Sequence, residues 1–452
     1  MAKMQSADAI PSLRSYMSTS AARYIKGNAL RWQTFFILAL ICLWEGLPFS
    51  LFGMSNVVGY QVYATLIFST SFLYCIRSLI NKEKWSYWGT LSFCFFLYTF
   101  LCSFTYSVII KPQPLQAWAF AIYTVSPLFT IFTLRFIKAN TGDCLNAILI
   151  AGFLGSVTVI SVQLSQSHLL DFYIRGSAFG AERRVVFFKL ESAFSAAILS
   201  ILLMNFRSIG KYFLHLIAFV ACAYNLFFLT ESRLAMLAFF AAFLLAWLFI
   251  FRTKRKIIAL SIAPIALTPL IFYFVDKFLG RFESLDKYLA NDMSSRWRMI
   301  TVKEFSNYFS ETYGMGFGFM SGNPIYNNVI AHSANFGGLP YGLRKYGLYL
   351  DDIGIYSALY QYGYIGFILT VAMTFLCIFK LGTAYRISRA YEPVSACGFM
   401  MAALLISPIS LNYFTVFYTA HIGGLLWFMA SRIDAEQLIM KTNYFHRFRG
   451  VK

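Results

Sequence analysis

The sequence predicts an all-α polytopic integral membrane protein of about twelve transmembrane helices. Three observations predict it. The chain is 59% hydrophobic and 19% aromatic with only 13% charged residues, far from the balance of soluble domains. Its mean hydropathy is +0.62, and apolar runs of roughly 18 to 25 residues, long enough to cross a bilayer, recur from end to end. The basic residues punctuate these runs instead of gathering in one segment.

Residues 1–31 are polar and basic, with Lys3, Arg14, Arg23, Lys26 and Arg31 and no short apolar core ahead of a small-residue cleavage site. They read as a cytoplasmic segment followed by a retained span. Nine spans follow within 32–275, centred near residues 42, 66, 98, 126, 156, 197, 220, 243 and 266. A long outer loop occupies 276–352, three more spans centred near 366, 402 and 422 lie within 353–431, and 432–452 form a cytoplasmic tail. An even number of spans puts both termini on one side. The charge pattern assigns that side to the cytoplasm, because only Lys111 and Arg233 fall on the short outer turns, the ones whose charge governs orientation.

The net charge of +19 raises the question of nucleic acid, but such binding needs a concentrated basic patch. Cations between spans instead orient helices and meet anionic lipid headgroups, so membrane lipids are the expected partners and nucleic acid is not. The eight cysteines lie in or beside apolar runs, and their spacing implies neither a disulfide framework nor a thiolate metal site.

The polar features that carry chemistry collect on the predicted outer side. The turn "FFLTESRLAMLAFF" places Arg233 on a short outer link, beside Glu231, where a cation is expensive. "YIRGSAFGAERRVVFFKLESAF" holds Arg175, Arg183, Arg184 and Lys189 before a span that contains Glu191, an anion-attracting patch. In the long loop, "SSRWRMITVKEF" puts Arg296 and Arg298 on an amphipathic interfacial helix, followed by Gly314, Gly316 and Gly318. Alternating glycines permit close backbone approach to a ligand. Asp351 and Asp352 meet the boundary of the next span just ahead of Gly363 and Gly366. They read equally as helix caps or as a general base toward a sugar hydroxyl. His332 is the loop's one histidine. Glu45 sits in the first span, where pairing with a neighbouring helix is the simplest account.

The order of these features resembles the bacterial O-antigen polymerase and O-antigen ligase superfamily over roughly residues 165 to 430. "TESRLAM" is similar to the family's Ser-Arg turn through Ser232 and Arg233. "SSRWRMI" and "YGMGFG" are similar to its arginine helix and glycine run. "FFKLESAFSAA" resembles the Glu-Pro-Ser stretch of exopolysaccharide polymerases through Glu191 and Ser192, without the proline. Counting back from Gly363 and Gly366 puts Asp352 where the ligase branch carries a histidine, and this departure favours the repeat-unit polymerases.

The resemblance implies a membrane glycosyltransferase that needs neither metal nor nucleotide cofactor. It implies a donor glycan on undecaprenyl pyrophosphate, presented at the periplasmic face of the bacterial inner membrane. Arg233 and Arg296 would bind the lipid pyrophosphate with help from Arg175, Arg183, Arg184 and Arg298, and Asp352 or His332 would serve the acceptor. Glu191 and Asp351 complete the substrate-binding set. A polysaccharide co-polymerase and a flippase are the implied partners. O-antigen ligation to another acceptor is the nearest alternative. A multi-pass transporter or flippase of lipid-linked glycans is the alternative of another class, disfavoured because few ionisable residues lie deep within the spans.

Overall fold

The computed structural model describes residues 31–51, 56–82, 85–110, 122–165, 174–175, 184–185, parts of 191–199, 213–226, parts of 302–316, 355–387 and 421–434. These residues are helical apart from turns and one two-residue ladder. Four helices contain stretches long and apolar enough to cross a membrane: Val58–Ile80, Tyr87–Phe104, Thr141–Ser161 and Ala358–Leu381. Trp32–Trp44, Val125–Phe136 and Phe213–Tyr224 are shorter apolar helices. All seven fall where the sequence centres spans near 42, 66, 98, 126, 156, 220 and 366. The spans expected near 243, 266 and 402 lie outside the described residues, so the count of twelve and the position of the termini rest on the sequence.

The first helix, α1 (Trp32–Trp44), buries Gln33, Thr34, Ile37, Leu40, Ile41 and Trp44, a set with helical spacing that forms one face. That face packs against α6 (Thr141–Ser165), while a short α2 (Leu47–Leu51) leads into α3 (Asn56–Ile80). α3 lies against a 3-10 segment, Ile122–Phe129, that continues as α5 (Thr130–Phe136). Pro127 inside that segment cannot donate to a helical ladder. Hydroxyl groups join the two elements: Tyr63 pairs with Thr130 at 3.1 Å, Thr70 with Thr133 at 2.7 Å, and Ser71 donates to the Phe129 carbonyl at 3.1 Å.

The buried and exposed residues sort in the sense expected where lipid is the solvent. Ser71, Ser92, Thr99, Ser103, Thr130 and Thr133 are buried, while Phe72, Leu79, Ile80, Leu101, Ile368 and Phe379 are exposed. Lipid tails are as apolar as leucine, so helices associate through small and hydroxyl side chains and turn large apolar ones outward. α4 (Tyr87–Phe104) is capped by Ser86, whose hydroxyl accepts from the Gly89 amide, and packs against the long α8 (Ile355–Ile387). α7 (Phe213–Tyr224) packs against α6.

In the basic region 165–190, read from sequence as a loop, Ile174–Arg175 and Arg184–Val185 form an antiparallel ladder. Its register makes Arg175 and Arg184 direct Cα partners. In the long loop, residues 302–303, 306 and 309 are helical, and a 3-10 turn, Ser310–Thr312, ends the helix. Tyr313, Gly314 and Gly316 then take left-handed backbone angles (φ 52, 75 and 86°), which stops helical propagation.

Candidate functional site

Among the described residues, Glu45, Glu191 and His421 form a group of ionisable side chains drawn from three separate segments of the chain. α1 stops at Trp44, with Glu45 as its C-cap and Gly46 at φ 72°; glycine tolerates that left-handed position. Pro48 opens α2, at a position where proline's missing N–H is harmless. A Cβ on Gly59 would strike the Leu43 carbonyl and Gly46, so α3 reaches the end of α1 only because residue 59 has no side chain. Glu45 is thereby fixed at a helix C-terminus, where the helix dipole disfavours a carboxylate.

Glu191 begins the helical residues of 191–199. Gly152 of α6 lets that segment approach, since a Cβ there would meet Ser195 and the Glu191 carbonyl. Hydrogen bonds then lock the two together. Ser195 donates to the Ile148 carbonyl at 2.9 Å, Ser156 pairs with Ser192 at 2.9 Å, and the Asn225 amide donates to Ser192 at 2.9 Å.

His421 is the first described residue of the helix 421–434, which is buried along almost its whole length. A Cβ on Gly424 would meet the Pro127 carbonyl, so this helix seats tightly on the 3-10 segment. The His421 ring lies 5.6 Å from that of Trp44.

These three side chains converge. His421 Nε2 and Glu191 Oε1 are 2.6 Å apart, with the two side chains 2% and 0% exposed. One ligand atom from each of Glu45, Glu191 and His421 lies within 4.8 Å of the others. Glu191 Oε2 and His421 Nδ1 are buried and lack a hydrogen-bond partner among the described residues. Two carboxylates this close in a largely apolar surround repel one another unless a proton or a cation offsets their charge, and the adjoining imidazole can supply the one or help ligate the other. The group is therefore chemically suited to hold a proton or to ligate a divalent metal.

A second feature connects the long loop to a span. α8 kinks at Gly363, whose backbone is non-helical (φ 68°, ψ −173°). The kink releases backbone groups that a membrane helix must satisfy, and partners are present. The Tyr364 N–H donates to the Gly314 carbonyl at 3.0 Å, and the Tyr98 hydroxyl donates to the Tyr362 carbonyl at 3.2 Å. A Cβ on Gly316 would meet the Gly363 nitrogen and the Gln361 carbonyl, and one on Gly363 would meet Gly314 and Met315. Gly314 and Gly316 of the glycine run thus approach the backbone and side chains of α8, while Gly318 lies outside the described residues.

Residues 216–371 match the family model described as O-antigen ligase. The match supports the O-antigen polymerase and ligase superfamily and, at a coarse level, a glycosyltransferase-like membrane enzyme. No curated protein matches the chain.

The matched segment contains Arg233, Arg296, Arg298, His332, Asp351 and Asp352 together with the Gly314–Gly363 contact. Those six site candidates, and Arg183, lie outside the described residues. Arg175 and Arg184 are paired through their ladder, and Glu191 is buried against His421. Sequence reasoning noted Glu45 and Glu191 separately and missed His421. The available signal was a histidine within the apolar stretch "FTVFYTAHIGGLLWF", since ionisable residues inside spans are functional candidates by default.

Proposed function

We propose that the protein is a polysaccharide polymerase, transferring a glycan from undecaprenyl pyrophosphate onto the sugar end of another lipid-linked repeat unit at the periplasmic face of the inner membrane. The observation that carries this reading is the match of residues 216–371 to the O-antigen ligase family, because that one segment holds both the arginines and the acidic residues the chemistry requires. Arg233 and Arg296 bind the donor's pyrophosphate through charge-assisted, geometrically directed hydrogen bonds. The same contacts stabilise the charge that builds on the leaving pyrophosphate as the glycosidic carbon is attacked. Asp352 or His332 accepts the proton of the attacking acceptor hydroxyl. Arg175, Arg183, Arg184 and Arg298 extend the positive surface along which an anionic donor is drawn in. In this reading the guanidinium groups supply the positive charge, and the transfer itself uses no metal or nucleotide.

Polymerization is favoured over ligation because Asp352 stands where the ligase branch carries a histidine. A polysaccharide co-polymerase that sets chain length and a flippase that delivers the lipid-linked unit are the proposed partners. The test is substitution of the donor-binding arginines in cells that make the polymer. Arg233→Ala and Arg296→Ala are expected to insert normally and to lower polymer output by about a hundredfold or more, the scale for removing a donor to developing negative charge. Wild-type chain length in both variants contradicts the assignment.

A further inference from the structure

The cluster of Glu45, Glu191 and His421 lies wholly outside the segment that matches the O-antigen ligase family. The donor chemistry derived above does not use it. Its three ligand-bearing atoms lie within 4.8 Å of one another, which is closer than unshared charges of like sign tolerate in an apolar interior. Glu191 also keeps one buried carboxylate oxygen without a hydrogen-bond partner among the described residues. That oxygen belongs to the carboxylate already in contact with His421, so it is a donor atom held at the cluster and not spent on any other described residue.

We propose that Glu45, Glu191 and His421 form a binding site for one divalent cation of the zinc class, which ties three segments of the chain together. With a neutral imidazole the ligand set carries two negative charges, matching a dication and removing the repulsion between the carboxylates. A mixed set of one imidazole nitrogen and carboxylate oxygens suits Zn2+, with remaining positions left to water. Mg2+ and Ca2+ prefer all-oxygen sites. On binding, the ion takes the place of the proton shared between His421 Nε2 and Glu191 Oε1. The ring proton then resides on Nδ1.

The site is assembled from residues far apart in the chain, Glu191 and His421 being 230 positions apart. The ion therefore acts as a cross-link among α1, the segment 191–199 and the helix 421–434. The rest of the geometry already holds these segments. Gly59 and Gly152 admit the close approaches, and Trp44 packs beside His421.

The test uses the full-length protein purified in detergent and washed with a mild chelator, then titrated with Zn2+, Mn2+ and Mg2+ while metal content and melting temperature are followed. The wild type is expected to bind about one Zn2+ per chain and to melt at a higher temperature with it. Binding should weaken as pH falls, because protons compete for the ligands. Glu191→Gln and His421→Gln should lose both the bound zinc and the shift. Zinc-edge X-ray absorption of the wild type, which needs no folded variant, should show one imidazole among oxygen neighbours. No zinc binding by the wild type, a sulfur-containing shell, an equal melting response to Mg2+, or undiminished binding in both folded variants would overturn the proposal. Arg233→Ala should bind zinc normally even where it makes no polymer, so this test and that of the glycosyl-transfer reading succeed or fail separately.

Discussion

Gly363 combines φ 68° with ψ −173°, a region of backbone space that essentially only glycine occupies. It also sits where a Cβ would run into Gly314 and Met315. Backbone strain and overpacking act together in Gly363→Ala, which is expected to destabilise the protein by about 3 kcal/mol. A clear drop in melting temperature in detergent checks this; an unchanged melt contradicts the close approach of loop and helix. The glycines themselves are conspicuous in the sequence. Their pairing is not, because nothing local to Gly316 specifies that its neighbour is the backbone of α8. The same holds for Glu191 and His421, each visible as a costly ionisable group in an apolar run and joined only by tertiary packing.

At the scale of elements, the helix 421–434 is anchored at two points, His421 against Glu191 and Asp434 in a clamp. Asp434 accepts hydrogen bonds from Lys380 Nζ at 2.6 Å, the Tyr87 hydroxyl at 2.7 Å and the Trp88 indole at 3.1 Å. Burial alone raises the carboxyl's pKa, but the bonds from Lys380, Tyr87 and Trp88 outweigh it and hold the group below its ordinary range. A carboxylate depressed in this way stabilises the fold above its unfolded pKa, about 4, and ceases to do so as pH falls through its lower folded value. Asp434→Asn is therefore expected to lower stability by about 1 kcal/mol near neutral pH, the partly open surroundings keeping the figure small. It should also flatten the acid dependence of the melt below about pH 4. A variant whose melting curve follows the wild type's at every pH contradicts the clamp. The helix persists to Asp434, three residues past the boundary that hydropathy places at 431. Asp434 is held there by polar contacts that a hydropathy profile does not register.

At the scale of the molecule, seven helices of the bundle were legible from apolar run length alone, because in lipid every backbone group must be satisfied within its own segment. Run length does not say which faces pack. The chain solves that with hydroxyl pairs such as Thr70 with Thr133, and with glycines at closest approach such as Gly59 and Gly152. α1 runs from Arg31, ion-paired to Asp143 at 3.1 Å, to Glu45, a rise of about 20 Å. The helix 421–434 spans a similar length between His421 and Asp434. The most direct measurement of the central claim is to incubate the purified protein in detergent, where sidedness is abolished, with undecaprenyl-pyrophosphate-linked repeat units as the only glycan. A ladder of longer lipid-linked chains, absent with Arg233→Ala, is the predicted result. Unchanged single units, or transfer that occurs only when a different lipid acceptor is added, would contradict it.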